Sequence, residues 1–271
     1  MLLRFRPSSG LNLLGVVRCK STKSSTNWLV RQAKDPFVKQ RSGAGPDGAA
    51  YRARSAFKLI EIDKKFRILR PGQVVCDLGA APGGWTQVAA QRLKLSPRSD
   101  SNDDKPMVEE REGIPSERQN SSKLIAVDLL SIQPISGVHI LRGDFTSPST
   151  QARVSELVGD RGADVVLSDM CANLSGNAIK DTESSLELCE MAFGFAARHM
   201  KADVSERRKS GILVMKYFEH PTLLEFMREK LKPAFSNVRT LRLEASRSES
   251  KEGYFLCTGF RGVMTGPTSD A

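Results

Sequence analysis

The 271-residue sequence is poor in the residues that usually build metal or disulfide sites. Its five cysteines, Cys19, Cys76, Cys171, Cys189 and Cys257, form no C-x-x-C pair and no Cys/His cluster. That scatter argues against a disulfide framework or a zinc site and predicts a reducing compartment. The three histidines, His139, His199 and His220, recruit no partner motif, so neither histidine-based nor metal catalysis is expected. No apolar stretch approaches the roughly 18 residues needed to cross a bilayer, and no membrane association is expected.

Acidic residues are missing from the first 34 positions, which carry Arg4, Arg6, Arg18, Lys20, Lys23, Arg31 and Lys34. Those seven cations leave only +3 of the formal +10 for the rest of the chain. Whole-chain basicity is therefore weak evidence for a nucleic-acid partner, and local distribution decides. The same segment is rich in Arg and Ser and holds a short apolar run, Leu11, Leu13, Leu14, Val16 and Val17. This composition reads as a mitochondrial transit peptide over residues 1–34, and the expected location is the mitochondrial matrix. A secretory signal fits less well, because Asn12 and Gly15 break the apolar run and no small-residue cleavage site follows. A disordered basic tail is the plainer alternative.

From Tyr51 onward, short β-like runs alternate with helical patterns. Residues 74–76, 124–127, 138–141, 164–167, 212–215 and 254–257 read as buried strands. Helical periodicity falls at about 52–66, 85–93, 149–158, 183–200 and 221–232. Such alternation predicts an α/β fold, a mostly parallel sheet with helices on both faces. The folded domain spans 35–262, and 263–271 reads as a disordered tail. Residues 94–122 have almost no apolar periodicity and read as a flexible surface insertion, with 202–210 a shorter charged loop of the same kind.

The most informative segment is Asp77-Leu78-Gly79-Ala80-Ala81-Pro82-Gly83-Gly84-Trp85-Thr86, between an apolar strand and a helix. A nucleotide-type ligand loop sits there in a doubly wound sheet. Its spacing is not G-x-G-x-x-G, so the dinucleotide fingerprint fails. Backbone amides here suit a cofactor carboxylate, while Asp77 suits its amino group. Asp128 and Asp144 then end the next two strands, where a carboxylate accepts from ribose hydroxyls and from an adenine amino group, with Phe145 near the ring.

Together these strings resemble the FtsJ/RrmJ-type family of ribosomal RNA 2′-O-ribose methyltransferases, most of all its mitochondrial large-subunit branch. The resemblance is carried by Tyr51 to Leu59, Asp77 to Trp85, Val127 to Leu130, Gly143 to Phe145, Leu167 to Met170, Val214 to Lys216 and Ser246 to Tyr254. It implies a Rossmann-like, S-adenosylmethionine-dependent methyltransferase with a seven-stranded sheet. The cofactor-binding residues it implies are Asp77, Gly79, Ala81, Pro82, Gly83, Gly84, Trp85, Asp128, Asp144, Phe145 and Asp169. It also implies a catalytic tetrad of Lys58, Asp169, Lys216 and Glu252, acting on ribosomal RNA of the mitochondrial large subunit, at a uridine of the peptidyl-transferase region. A monomer is expected.

The tetrad's chemistry has its own logic. Methyl transfer from a sulfonium to a hydroxyl is an in-line displacement, so alignment supplies much of the acceleration. A nearby base helps a protonated ribose hydroxyl attack. Burial and Lys58 push Lys216 towards the neutral amine, whereas Asp169 favours its charged form. Lys216 is therefore either a true base or an orienting group. Three departures from the family pattern lie near these residues. Cys171-Ala172-Asn173 replaces Ala-Pro-Asn, the charged 202–210 stretch replaces a Pro-Gly turn, and Gly253 replaces a branched apolar residue.

Arg52, Arg54, Lys64 and Lys65 lie in a cation-rich stretch around Phe57 and are the candidates for RNA phosphate contact. Two alternative functions follow the same residues: the same chemistry on tRNA or an mRNA cap, and a largely non-catalytic mitochondrial ribosome-assembly factor. No segment is dedicated to a methylated guanine, which disfavours the cap.

Overall fold

The computed structural model describes residues 50–95, 122–171, 178–202, 211–247 and 250–263. The transit-peptide segment, nearly all of the 94–122 insertion, residues 203–210 and Ala172-Asn173 lie outside them. Within the described chain, the apolar runs become strands β1 (Val74–Leu78), β2 (Lys123–Asp128), β3 (His139–Arg142), β4 (Val165–Ser168) and β5 (Ile212–Phe218). Strands β6 (Phe235–Leu241) and β7 (Glu252–Phe260) complete a seven-stranded sheet of order β3-β2-β1-β4-β5-β7-β6. The first five are mutually parallel, and β7 runs antiparallel to both neighbours.

The expected helices also form: α1 (Ala56–Phe66), α2 (Gly84–Arg92), α3 (Pro148–Val158), α4 (Ala178–His199) and α5 (Pro221–Phe226). A π-helical turn, Met227–Leu231, extends α5 to Lys232–Ala234. Strand β6 is the element that apolar periodicity did not find. It is an edge strand with one neighbour, and four of its seven residues, Ser236, Asn237, Arg239 and Thr240, are exposed. Nothing obliges such a strand to be apolar, and its polar face blunts further pairing.

Strand periodicity sorts the core into two layers. Cys76, Val166, Leu213, Met215, Phe255 and Cys257 point to one face, where α3, α4 and α5 cover them with Val154, Phe195 and Phe226. Val75, Val165, Leu167, Ile212, Val214, Tyr254 and Leu256 point to the other, against Leu59 and Ile62 of α1 and Val88 of α2. By the same alternation Asp77, Lys216 and Glu252 lie on the α1–α2 face. Asp169, one step past β4, continues that parity. The order of connection reverses between β1 and β4, which opens a crevice at the carboxyl ends of those strands.

Candidate active site

Four charged side chains converge above that crevice in two couples. Lys58 Nζ lies 2.7 Å from Glu252 Oε1, with both side chains almost wholly buried. Lys216 Nζ lies 3.2 Å from Asp169 Oδ1 and donates to the Asp169 main-chain carbonyl at 3.0 Å. Tyr254 joins the couples: its hydroxyl donates to Asp169 Oδ1 at 2.6 Å, and Lys58 Nζ sits 5.6 Å from its ring centroid. Trp85 packs on that ring at 5.9 Å and fixes its own indole by donating Nε1 to the Ser55 carbonyl at 2.8 Å.

Tyr254 was not among the expected site residues, although strand spacing pointed to it. It follows Glu252 by two and must share its face. Burial, then the charges of Asp169 and Glu252, raise its phenol well above the ordinary range, so it stays a donor. Burial would lower Lys216, but Asp169, Cys171, Glu252 and the bond to Asp169 outweigh it, and its value is raised. Burial would likewise raise Glu252, yet Lys58 prevails and the carboxyl is lowered. Lys216 is therefore an ammonium and Glu252 a carboxylate at neutral pH.

Most amides of the glycine loop are already committed, three of them to the end of β2. Gly79 and Ala80 both donate to the Val127 carbonyl, Gly83 to the Ala80 carbonyl, and Ala81 to Asp128 Oδ2 at 2.8 Å. Pro82, after a cis peptide bond, has none to give. The donors open to an anionic group are thus the first-turn amides of α2, at Gly84, Trp85 and Thr86, which have no intrahelical acceptor. Gly79 adopts φ +64°, and a Cβ there would stand 2.2 Å from Met170 Cγ, so the β1 and β4 loops touch across the crevice through a missing side chain.

Asp77 lies beneath this loop, 1% exposed, accepting from Thr86 Oγ1 at 2.6 Å. Burial pushes it up to about 7, the Thr86 bond opposes this, and Asp169 and Asp128 add to the rise. A cationic group would offset that cost. Asp128 accepts from Ala81 N with one oxygen and from Leu130 N with the other, so it braces two loops at the ligand edge. Asp144 Oδ1 accepts from Thr146 N and Oγ1, which lowers its pKa. Its Oδ2 has no partner among the described residues. The Phe145 ring is buried and meets Phe195 in a T-shaped contact.

Two of the four RNA candidates are also spoken for. Arg52 donates Nη1 and Nη2 to the Gln133 and Pro134 carbonyls, at 2.6 and 2.9 Å, and clamps the loop after β2. Arg54 donates to the Ala245 carbonyl at 2.7 Å. A sequence shows the cation but not the carbonyl the fold brings to it. Lys64 and Lys65 are exposed in the last turn of α1. Gly253 also reads differently in three dimensions. A Cβ there would lie 2.7 Å from the Tyr217 ring, so that ring fills the space a branched residue would take. Among the described residues no His, Cys, Asp or Glu cluster is arranged to hold a metal ion, and no helix is long and apolar enough to span a membrane.

Residues 51–260 match the family model of FtsJ-like methyltransferases. The chain belongs to that family. Among relatives of this FtsJ-like methyltransferase is the ribosomal RNA large subunit methyltransferase E of Paraburkholderia phymatum, 38% identical over 234 residues, which span 86% of this chain and 94% of that protein. The protein of the same name from Azoarcus sp. is 36% identical over 242 residues, 89% of this chain and 100% of that one. A solved Plasmodium falciparum structure, described as a ribosomal RNA methyltransferase, superposes with a TM-score of 0.60. It covers 79% of this chain and 100% of its own, and at 23% identity it speaks for the fold alone.

Proposed function

We propose that this FtsJ-like methyltransferase methylates a ribose 2′-hydroxyl of large-subunit ribosomal RNA, with S-adenosylmethionine as donor. The observation that carries the reading is the pair of buried couples, Lys58–Glu252 and Lys216–Asp169, bridged by Tyr254 at the carboxyl ends of β1 and β4. The names of the bacterial relatives support the substrate class. The donor supplies an electrophilic methyl group on a sulfonium. Around it, the residues fit: Asp77 is a buried carboxyl suited to an amino group, the first turn of α2 offers amides to a carboxylate, and Asp144 keeps an oxygen for a polar hydrogen.

For the acceptor, Lys216 Nζ uses two donors on Asp169 and has a third for the ribose hydroxyl. To act as base, it must first give up the proton that Asp169 helps it hold. Lys58, fixed by Glu252, supplies a second positive charge beside the hydroxyl and stabilises the developing oxyanion. Asp169 and Tyr254 hold Lys216 in line, so the chain's contribution is mainly alignment.

The finer assignment, a uridine of the peptidyl-transferase region in mitochondrial large-subunit RNA, rests on the basic acid-free segment 1–34 and on the sequence resemblance to that branch. The test incubates full-length protein with large-subunit particles, mitochondrial and bacterial, and radiolabelled donor, then hydrolyses the RNA with alkali. A 2′-O-methyl group blocks cleavage at its own linkage, so label is expected in an alkali-resistant dinucleotide, from the mitochondrial particles first. Lys216→Ala is expected to reduce it to background. Label in single nucleotides, or none despite donor binding, overturns the assignment.

A further inference from the structure

The stripe of α1 that begins at catalytic Lys58 continues through Glu61 and Ile62 to Lys65, at i, i+3, i+4 and i+7. Seven residues at 1.5 Å rise place Lys65 roughly 10 Å along the axis from Lys58. There α1 meets the end of edge strand β6 across a groove of about 110 Å³, lined by Lys65, Phe66, Thr240, Arg242 and their neighbours. Half-buried Phe66 stands at this seam with two cations over its ring, Lys65 Nζ at 5.5 Å and Arg239 Cζ at 5.8 Å from the centroid.

Lys65 and Arg239 are both exposed, and neither has an acidic partner among the described residues. The acid on the stripe, Glu61, has both oxygens committed to the main-chain amides of Glu244 and Ala245 at 3.0 Å. Arg242 is held by Glu219 and the Ser250 carbonyl, so it shapes the groove without adding a free cation. Two like charges gathered on one aromatic ring repel each other, and an anion seated between them removes that repulsion.

We propose that Lys65, Phe66 and Arg239 form a second RNA-binding surface, which grips the phosphate backbone flanking the methylated ribose. This rests on the RNA reading above and extends it to a place no active-site motif reaches. The ring holds the two cations outward at low entropic cost, and phosphates of an RNA whose ribose lies against Lys58 pass within reach. Such interactions position the substrate without reading its sequence. The surface spans two elements, so an RNA bound there bears on the α1 stripe that carries Lys58.

The test compares full-length protein with Lys65→Glu, Arg239→Glu and the double variant, with Arg153→Glu, at an exposed position of α3, as a charge control. Binding to large-subunit RNA is measured over a range of salt, and methyl transfer by KM and kcat. The double variant is expected to weaken RNA binding about tenfold or more and to flatten the log–log salt dependence by roughly 0.7–0.9 for each phosphate no longer neutralised. KM rises accordingly, while kcat at saturation, thermal stability and donor binding stay as in the parent. The single variants sit on different elements, so a folding fault in one does not mimic the other. RNA affinity and slope matching the parent overturn the proposal, as does an equal weakening in Arg153→Glu. Unchanged RNA affinity with abolished binding of polyglutamate points to an acidic protein partner and also overturns it. Should the parent transfer no methyl group, the binding arm still decides the surface, so the two readings fail separately.

Discussion

Gly79→Ala tests how the β1 and β4 loops meet across the crevice. The substitution has two separable costs. An L-residue held at φ +64° is disfavoured by roughly 1–2 kcal/mol. The new Cβ also lies 2.2 Å from Met170 Cγ and 3.1 Å from its sulfur, an overpacking worth about 1–3 kcal/mol. The single change should therefore destabilise the protein by about 2–5 kcal/mol. Met170→Ala alone removes a partly buried side chain and should cost about 1–2 kcal/mol, below the range for a fully buried one. In the double variant the remaining Met170 Cβ stands 3.5 Å away, an ordinary van der Waals distance, so only the backbone cost and the missing Met170 packing persist. Urea unfolding of all four proteins should then show a favourable coupling of about 1–3 kcal/mol. Additivity within about 0.5 kcal/mol would mean that Met170 swings aside freely and that the two loops are not locked together.

Further predictions concern charge and packing. Asp77 binds a proton in the folded state up to about 7, against 3.8 ordinarily, so stability should fall as pH rises through that window. Asp77→Asn should abolish the fall and be more stable at pH 8 by up to about 4 kcal/mol while losing donor affinity; thermal melts at pH 5 and 8 with calorimetric titration check both. Lys216 is held as an ammonium, so if it serves as the base, single-turnover methyl transfer should climb roughly tenfold per pH unit from 7 to 9. A flat profile would leave Lys216 an orienting cation only. Its contribution to stability has the opposite limit: the raised value keeps it intact at neutral pH and loses it only as the solution becomes strongly alkaline. Gly253→Val should cost about 1–3 kcal/mol in denaturant midpoints, since Tyr217 is stacked on Phe255 at 3.9 Å and cannot retreat. Tyr217→Leu in the same background should recover part of it.

The inner parallel strands β1, β2, β4 and β5 were legible because each is buried on both faces and is largely apolar, as Val74-Val75-Cys76 and Val165-Val166-Leu167 are, and edge strand β3 kept enough apolar residues, Ile140 and Leu141, to be read with them. Strand β6 was not, because an edge strand answers to solvent as much as to the core. The tetrad was legible as four motifs in register, and the fold brings all four side chains together. Partnerships of single cations were hidden: Arg52 and Arg54 find carbonyls 81 and 191 residues away. An aromatic beside a ligand loop serves ligand or core with the same letter, so the contact of Phe145 with Phe195 could not be read from the sequence. The departure at Gly253 had no visible reason in the sequence, since the Tyr217 ring that fills its space comes from the neighbouring strand.

The two couples also explain why the site tolerates so much buried charge. Lys58 and Glu252 cancel locally, as do Lys216 and Asp169, so the tetrad carries no net charge. An isolated buried ion costs several kcal/mol, and removing one partner of a pair leaves that cost uncompensated. Neutralising a single member therefore perturbs its partner as well as itself, and single substitutions overstate each residue's chemical share. Tyr254 is the exception. It is uncharged and touches both couples, donating to Asp169 while its ring lies beside Lys58. Loss of its hydroxyl alone leaves the charge balance intact and changes only how Asp169 holds Lys216, which separates alignment from electrostatics in this active site.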